Sequence, residues 1–251
     1  MQSLSPLPFL LLATVSAVED RVRPRGFDCT APATDTRLST GEAVTVPEWV
    51  EPGMTPSVWR LAEAARAAKN AGDDGLEKCL LVEAEREARA ALSEEEASTP
   101  RRFALAIVLG MRAEVEGGRT KVRAASELYE ELVVILTAEP GHARARHMLG
   151  RLHAGVKRMG GVTRWLATNL LGGAVLKTAT WEEAELNLAF AERAAPEVGE
   201  HHLQLANLYR DTDRPELALD EVQHVLDLPA TSAMARATRS EATSLLKELG
   251  G

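Results

Sequence analysis

Residues 199–232 read GEHHLQLANLYRDTDRPELALDEVQHVLDLPATS, and this stretch decides the fold. Apolar residues recur at spacings of three and four in residues 201–209 and again in residues 215–226, which is the period of an α-helix. Pro229 follows the second run, and proline cannot continue a helix. The stretch therefore predicts two short helices that fold back on each other.

The spacing within this pair resembles the tetratricopeptide repeat. With Gly199 as position 1, alanines fall at positions 8 and 20, namely Ala206 and Ala218. Small residues at these two positions let the helices of a pair approach closely. Larger apolar residues occupy the positions that fill the seam between neighbouring repeats: Leu205, Tyr209, Val222 and Val225.

The helical period extends from this stretch back to about Thr55, with proline and glycine breakers between the runs. We predict an all-α fold over residues 55–251, a curved solenoid of tetratricopeptide-like antiparallel helix pairs. The predicted units are residues 55–92, 101–140, 143–196 and 199–231, followed by a capping helix at 232–249. The third unit fits only if an inserted helical segment lies within residues 157–179.

A more specific resemblance lies in residues 147–196, which read HMLGRLHAGVKRMGGVTRWLATNLLGGAVLKTATWEEAELNLAFAERAAP. The LGR helix, the tryptophan-containing segment ending in LGG and the WEEA helix resemble the regulator of microtubule dynamics family of tetratricopeptide proteins. The resemblance covers about residues 101–249. It implies a helical-repeat adaptor; some family members are linked to microtubules or membrane contact sites. This sequence has an export-like leader instead of a longer membrane anchor, which argues against a microtubule role, and the resemblance is to a bacterial-type member.

The composition of the chain argues against one class of function and favours a helical fold. The 251 residues carry a net charge of −8, which argues against a general nucleic-acid binder because such proteins show a basic excess. Hydrophobic residues make up 45% of the chain, enough to bury a core, and aromatic residues only 4%, which favours helix over sheet.

The amino terminus has the features of a leader. Residues 7–17, LPFLLLATVSA, form the most apolar run, and it is too short to span a bilayer comfortably. Small residues at its end suit a signal peptidase. We predict a signal peptide at 1–17, a Pro-rich lead-in at 18–54, and export to the periplasm or cell envelope. Because no Lys or Arg precedes the run, a cytoplasmic location stays open.

The chain has two cysteines, Cys29 and Cys79. In an oxidising compartment they can form a disulfide that ties the lead-in to the first helices. In a reducing one, Cys79 would be a small residue of a helix core.

Charge is distributed unevenly. Residues 140–181 contain no Asp or Glu but seven cations: Arg144, Arg146, Arg151, Lys157, Arg158, Arg164 and Lys177. Such a segment indicates either an anion-binding site or a complement to acidic neighbouring helices.

The repeat register suggests which residues act together. Positions 2, 5, 9 and 12 of each first helix line the concave groove of a tetratricopeptide array. We expect this groove to bind an extended protein or peptide with anionic groups, since guanidinium groups suit carboxylates and phosphates. The polar candidates are Arg144, His147, Arg151, Asn207 and Arg210, and the apolar ones are Ile107, Met111 and Leu203. Alternatively, Arg151 pairs with an acid on a neighbouring helix.

Two other functions remain open. Trp165 and Leu166 begin an apolar inserted segment that could cover the groove or hold an acyl chain, which would make the protein a binder of lipids, amphiphiles or a membrane surface. The chain could also be a structural assembly scaffold.

The sequence lacks the common catalytic and metal-binding motifs. The six histidines show neither an H-E-x-x-H pattern nor a cysteine at zinc spacing, and no G-x-S-x-G elbow, Walker loop or dinucleotide fingerprint occurs. The sequence therefore predicts a protein that is not an enzyme and has no metal or cofactor.

Overall fold

A computed structural model describes residues 53–96, 98–160 and 177–250. All of them lie in one compact unit, Ala43–Gly251. The predicted signal peptide, nearly all of the lead-in, Cys29, Trp165 and Leu166 lie outside the described residues.

The described residues form nine helices and no strand, so the prediction of an all-α fold is confirmed. The helices are α1 (Pro56–Asn70), α2 (Asp74–Glu94), α3 (Thr99–Val115), α4 (Gly118–Ala138), α5 (Ala143–Arg158), α6 (Trp181–Ala194), α7 (Gly199–Asp211), α8 (Pro215–Asp227) and α9 (Ala233–Leu249).

Side-chain caps fix where most of these helices begin. Thr55, Asp73, Ser98, Thr180 and Ser232 each accept a hydrogen bond from the backbone N–H three residues later. These bonds satisfy amides that have no partner inside the helix. The caps explain why the helical runs of the sequence begin after short polar residues.

Each helix packs against the next one in sequence. The most extensive contacts join α1 with α2, α3 with α4, α5 with α6, and α7 with α8. In addition, α7 contacts both α5 and α9. Helices α5, α7 and α9 are therefore neighbours, with α7 in the middle. We use the name first helices for the set α3, α5, α7 and α9.

The close approach between α5 and α6 depends on Gly150. A Cβ atom added there would lie 2.6 Å from Leu188 Cγ and 2.9 Å from the carbonyl oxygen of Ala184. In the next pair Ala206 and Ala218 are both fully buried. Small residues thus lie at the positions where the spacing of the sequence places them.

Four groups of buried apolar side chains hold the described helices together, and the smallest joins Val122 of α4 to Val156 of α5. The largest joins α1 to α5 around Phe103, Leu109 and Leu132. A second connects α5, α6 and α7 through Leu188 and Leu205, and a third connects α7, α8 and α9. Each fully buried leucine or phenylalanine contributes about 1.5–3 kcal/mol. The core is distributed along the chain rather than gathered at one centre.

None of the helices in the described residues is both long and apolar enough to cross a bilayer.

Candidate functional site

A row of polar side chains crosses the first helices. Arg151 of α5 donates a hydrogen bond from Nη2 to Glu114 Oε1 of α3 at 2.8 Å, and its Nη1 lies 3.6 Å from Glu200 Oε1 of α7. Thr238 of α9 donates to Glu200 Oε2 at 3.4 Å. We call Glu114, Arg151, Glu200 and Thr238 the charged row. It links four helices that are far apart in sequence.

Arg151 is accessible to solvent at the centre of the charged row. Its side chain is 41% exposed and that of Glu114 is 52% exposed. An exposed ion pair of this kind contributes only about 0–1 kcal/mol. Arg151 can therefore exchange Glu114 for another carboxylate at little cost.

Glu200 is less exposed than Glu114, since their side chains are 30% and 52% exposed. Burial raises the pKa of the Glu200 carboxyl above its ordinary value, although Arg151 and a hydrogen bond from Gln204 act in the opposite direction. The nearby Glu241 adds to the increase. Arg151 thus offsets the burial of Glu200 only in part.

Arg144 lies two helical turns before Arg151 on the same helix, so both point from the same side of α5. Its guanidinium carbon is 5.7 Å from the centre of the Phe103 ring, which is a cation–π distance. Desolvation by the atoms around it lowers the pKa of Arg144 from its ordinary value, although the residue as a whole is exposed.

His147 does not line an open groove, although the repeat register places it there. Its side chain is buried, and its Nδ1 lies 2.9 Å from Nδ1 of His201 on α7. Burial depresses the pKa of His147 far below the usual range and lowers that of His201 to about 4, aided in each case by neighbouring positive groups. Both rings are therefore neutral near pH 7. One Nδ1 donates and the other accepts, so the pair joins α5 to α7.

Asn207 and Arg210 lie further along α7, beside α9. They line a shallow cavity of about 230 Å³, and Leu203 forms its buried floor. Arg210 is ion-paired with Asp211 at 3.0 Å and with Glu248 at 3.5 Å, while the Asn207 side chain donates to the Leu203 carbonyl oxygen. These residues extend the polar surface but do not join the charged row.

Ile107 and Met111 are half-buried on α3. Ile107 packs against the large core cluster. Leu203 is only 1% exposed. The three predicted apolar groove residues thus present little surface.

Other cations of the acid-free segment also have partners. Arg158 Nε lies 2.5 Å from Asp211 Oδ2, and Arg146 donates to Asn187 Oδ1 at 3.1 Å. Arg151 pairs with Glu114 and Glu200 as described above. Arg151 and Arg158 thus pair with acidic residues of neighbouring helices. This agrees with the interpretation of the acid-free segment as a complement to those helices.

The sequence interpretation missed a cluster on α7 and α8. His202 Nδ1 lies 2.7 Å from Glu221 Oε2, and His202 Nε2 lies 2.8 Å from the Pro196 carbonyl oxygen. Nδ1 of His224 is 3.8 Å from the same carboxylate oxygen. The hydrogen bond between the His202 ring and the Glu221 carboxylate raises the pKa of His202 in spite of its burial. The spacing of Glu221 and His224, three residues apart, is the signal that could have pointed to this cluster.

Cys79 lies partly exposed on α2. Since Cys29 lies outside the described residues, the disulfide between them stays a prediction.

Comparison with known proteins places the sequence among named relatives. The profile of the family described as "Regulator of microtubule dynamics protein 1-3" matches residues 51–250. Regulator of microtubule dynamics protein 3 of Xenopus laevis is 27% identical over 194 residues. This alignment covers 76% of the chain but only 41% of the relative.

Proposed function

Because the chain belongs to the regulator of microtubule dynamics protein 1-3 family, we propose that it is a non-enzymatic interaction protein whose charged row binds an acidic protein segment. In this proposal the segment is extended and lies across the first helices. The helix pairs would stack as a tetratricopeptide-like solenoid, with α3, α5, α7 and α9 on its concave side.

The packing supports the repeat architecture. Successive helices contact one another along the chain, and α7 contacts the first helices on both of its sides. The glycine and alanines at Gly150, Ala206 and Ala218 permit the close pairing that tetratricopeptide units require.

One observation carries the binding proposal, namely that Arg151 is exposed and central in a row that links four helices. A surface that crosses several first helices suits an extended ligand rather than a small molecule. The guanidinium can turn from Glu114 to a ligand carboxylate and receive it with two parallel hydrogen bonds. The ligand would then replace an intramolecular ion pair with an intermolecular one.

Arg144 adds a second cation to this surface. It lies seven positions before Arg151, which corresponds to roughly 10 Å along the axis of α5. Since the proposed ligand crosses α5 rather than running along it, Arg144 would meet an acidic group at the edge of the segment that faces the start of α5.

The binding of a lipid or another amphiphile ranks second. It would use Trp165 and Leu166, which lie outside the described residues, together with Ile107 and Met111. The low exposure of Leu203 gives this alternative less support. A structural scaffold without a groove ligand ranks third.

Export and a Cys29–Cys79 disulfide remain part of the proposal. Thiol labelling of cell-envelope fractions with and without reductant tests both together. Protein found only in the cytoplasm, or labelled at both cysteines without reductant, would refute them.

Selection from a library of random short peptides tests the binding proposal. We expect peptides selected on the full chain to be enriched in Asp and Glu, and to lose at least tenfold in affinity for Arg151→Glu. Arg66→Glu is a matched control, since Arg66 is 40% exposed and pairs with Glu63 at 3.1 Å on α1, away from the charged row. Equal binding by wild type and Arg151→Glu, or selected peptides without acidic enrichment, would refute the proposal.

A further inference from the structure

Three potential metal ligands converge between α7 and α8. His202, Glu221 and His224 each offer one ligand atom, and these atoms all lie within 4.8 Å of one another. Two imidazole nitrogens and one carboxylate oxygen are a donor set that Zn²⁺ uses in proteins.

The hydrogen bonds of His202 orient it as a ligand. Its Nε2 lies 2.8 Å from the Pro196 carbonyl oxygen, which can only accept, so Nε2 carries a proton. The ring is buried, and its Nδ1 points at Glu221. Metal-binding histidines commonly donate their second N–H to a backbone carbonyl in this way, which fixes the ring and the tautomer.

The other two ligands, Glu221 and His224, both lie on α8 and face His202. Glu221 and His224 are three residues apart on α8, so their side chains share one side of the helix. The rings of His202 and His224 lie at a centroid distance of 5.1 Å, edge to face. Two packed helices thus hold all three donors without the help of a loop.

The cluster is open on one side. The His224 side chain is 59% exposed, whereas that of Glu221 is only 16% exposed. An ion could enter past His224, and solvent could complete its coordination. The carboxylate of Glu192 on α6 also acts electrostatically on His202 and adds negative charge near the cluster.

We propose that His202 Nδ1, Glu221 Oε2 and His224 Nδ1 bind one divalent transition-metal ion of the zinc type. In the metal-free protein His202 and Glu221 share a hydrogen bond, and the metal replaces the proton between them. The ion would join α7 to α8 within a single helix pair. This site is separate from the charged row and does not depend on the proposed function.

Titration of the untagged full chain with Co²⁺ after treatment with a chelator tests the site. We expect one Co²⁺ per chain with visible d–d absorption, and its displacement by Zn²⁺. His224→Ala and Glu221→Gln should each weaken binding at least tenfold. Glu216→Gln removes an exposed carboxylate from the same helix and should leave binding unchanged.

Thermal denaturation distinguishes a variant that has lost the metal site from one that has lost its fold. Because His224 is mostly exposed, His224→Ala should melt like wild type without metal. Zn²⁺ should raise the melting temperature of wild type and of Glu216→Gln, but not of His224→Ala. Absence of cobalt absorption in folded wild type, or equal affinity of wild type and His224→Ala, would overturn the proposal.

Discussion

Arg112 and Arg151 occupy similar places in different parts of the chain, and their surroundings give them different roles. Both lie on first helices and both contact two glutamates. The Arg112 side chain is 9% exposed between Glu85 of α2 and Glu116, the residue that follows α3, whereas that of Arg151 is 41% exposed. The first arginine is enclosed by the fold and the second faces solvent.

The glutamate partners differ in the same way. Burial alone would raise the pKa of Glu85, but the hydrogen bonds and charges of Arg112 and Arg89 outweigh it, so this pKa lies below its ordinary value. At Glu200 burial outweighs Arg151, and the pKa lies above its ordinary value. Arginines therefore compensate the buried Glu85, whereas Arg151 only partly offsets the burial of Glu200. Because the ion pairs of Arg151 are exposed and weak, Arg151 is the arginine that can exchange a glutamate for a carboxylate of a partner.

Removal of the buried arginine should have the largest effect. Arg112→Ala leaves Glu85 and Glu116 without their shared partner in a confined place, and it should lower the free energy of unfolding by about 3–5 kcal/mol. Urea denaturation followed by circular dichroism measures the change. A loss below 1 kcal/mol would mean that the Arg112 arrangement contributes no more than an exposed pair.

Substitution of Gly150, which packs α5 against α6, should destabilise the protein more than substitution of the exposed Arg151 on the same helix. Gly150→Ala places a methyl group against Leu188 and the Ala184 carbonyl, and it should cost about 1–3 kcal/mol. Gly155→Ala on the same helix is the control. A Cβ at Gly155 meets no atom within 4 Å, so this variant should be neutral or more stable by up to about 1 kcal/mol. Equal stability of the two variants would show that α5 and α6 are not closely packed.

The stabilisation by Glu85 should depend on pH. Since the folded-state pKa of Glu85 lies below its ordinary value of 4.5, the stabilisation is complete above pH 4.5 and is lost as the pH falls through the folded-state pKa. Glu85→Gln should therefore cost about 1–2 kcal/mol near pH 7 and progressively less in acid. Unfolding of both proteins at a series of pH values measures the difference. A difference that is constant down to strong acid would exclude this origin.

Removal of the exposed arginine should have the smallest effect on stability. Arg151→Ala should change the free energy of unfolding by less than about 1 kcal/mol, and the change should shrink further in high salt. The measurement is the same urea denaturation at two salt concentrations. A salt-independent loss comparable to that of Arg112→Ala would remove the distinction between the two arginines.

The sequence was sufficient to predict the helices because their apolar period, the proline and glycine breakers between them and the small residues Ala206 and Ala218 are local features. It identified Arg151 as a central side chain, but not whether Glu114 and Glu200 would contact it. That pairing depends on how α3, α5 and α7 pack in space.

The sequence also does not predict which individual polar residues are buried. His147 was expected in the groove, yet its pairing with His201 depends on the rotation of α5 against α7. The convergence of His202 with Glu221 and His224 likewise depends on the register between α7 and α8, and only the Glu221–His224 spacing is visible in the sequence.

Hydrogen exchange of the full chain, with and without a selected acidic peptide, tests most directly whether the charged row is the binding surface. We predict slower exchange in α5 and α7 around Arg151 and Glu200, with no change in α2 around Glu85. Protection confined to α1 and α2, or unchanged exchange throughout α5 and α7 in saturating peptide, would contradict it.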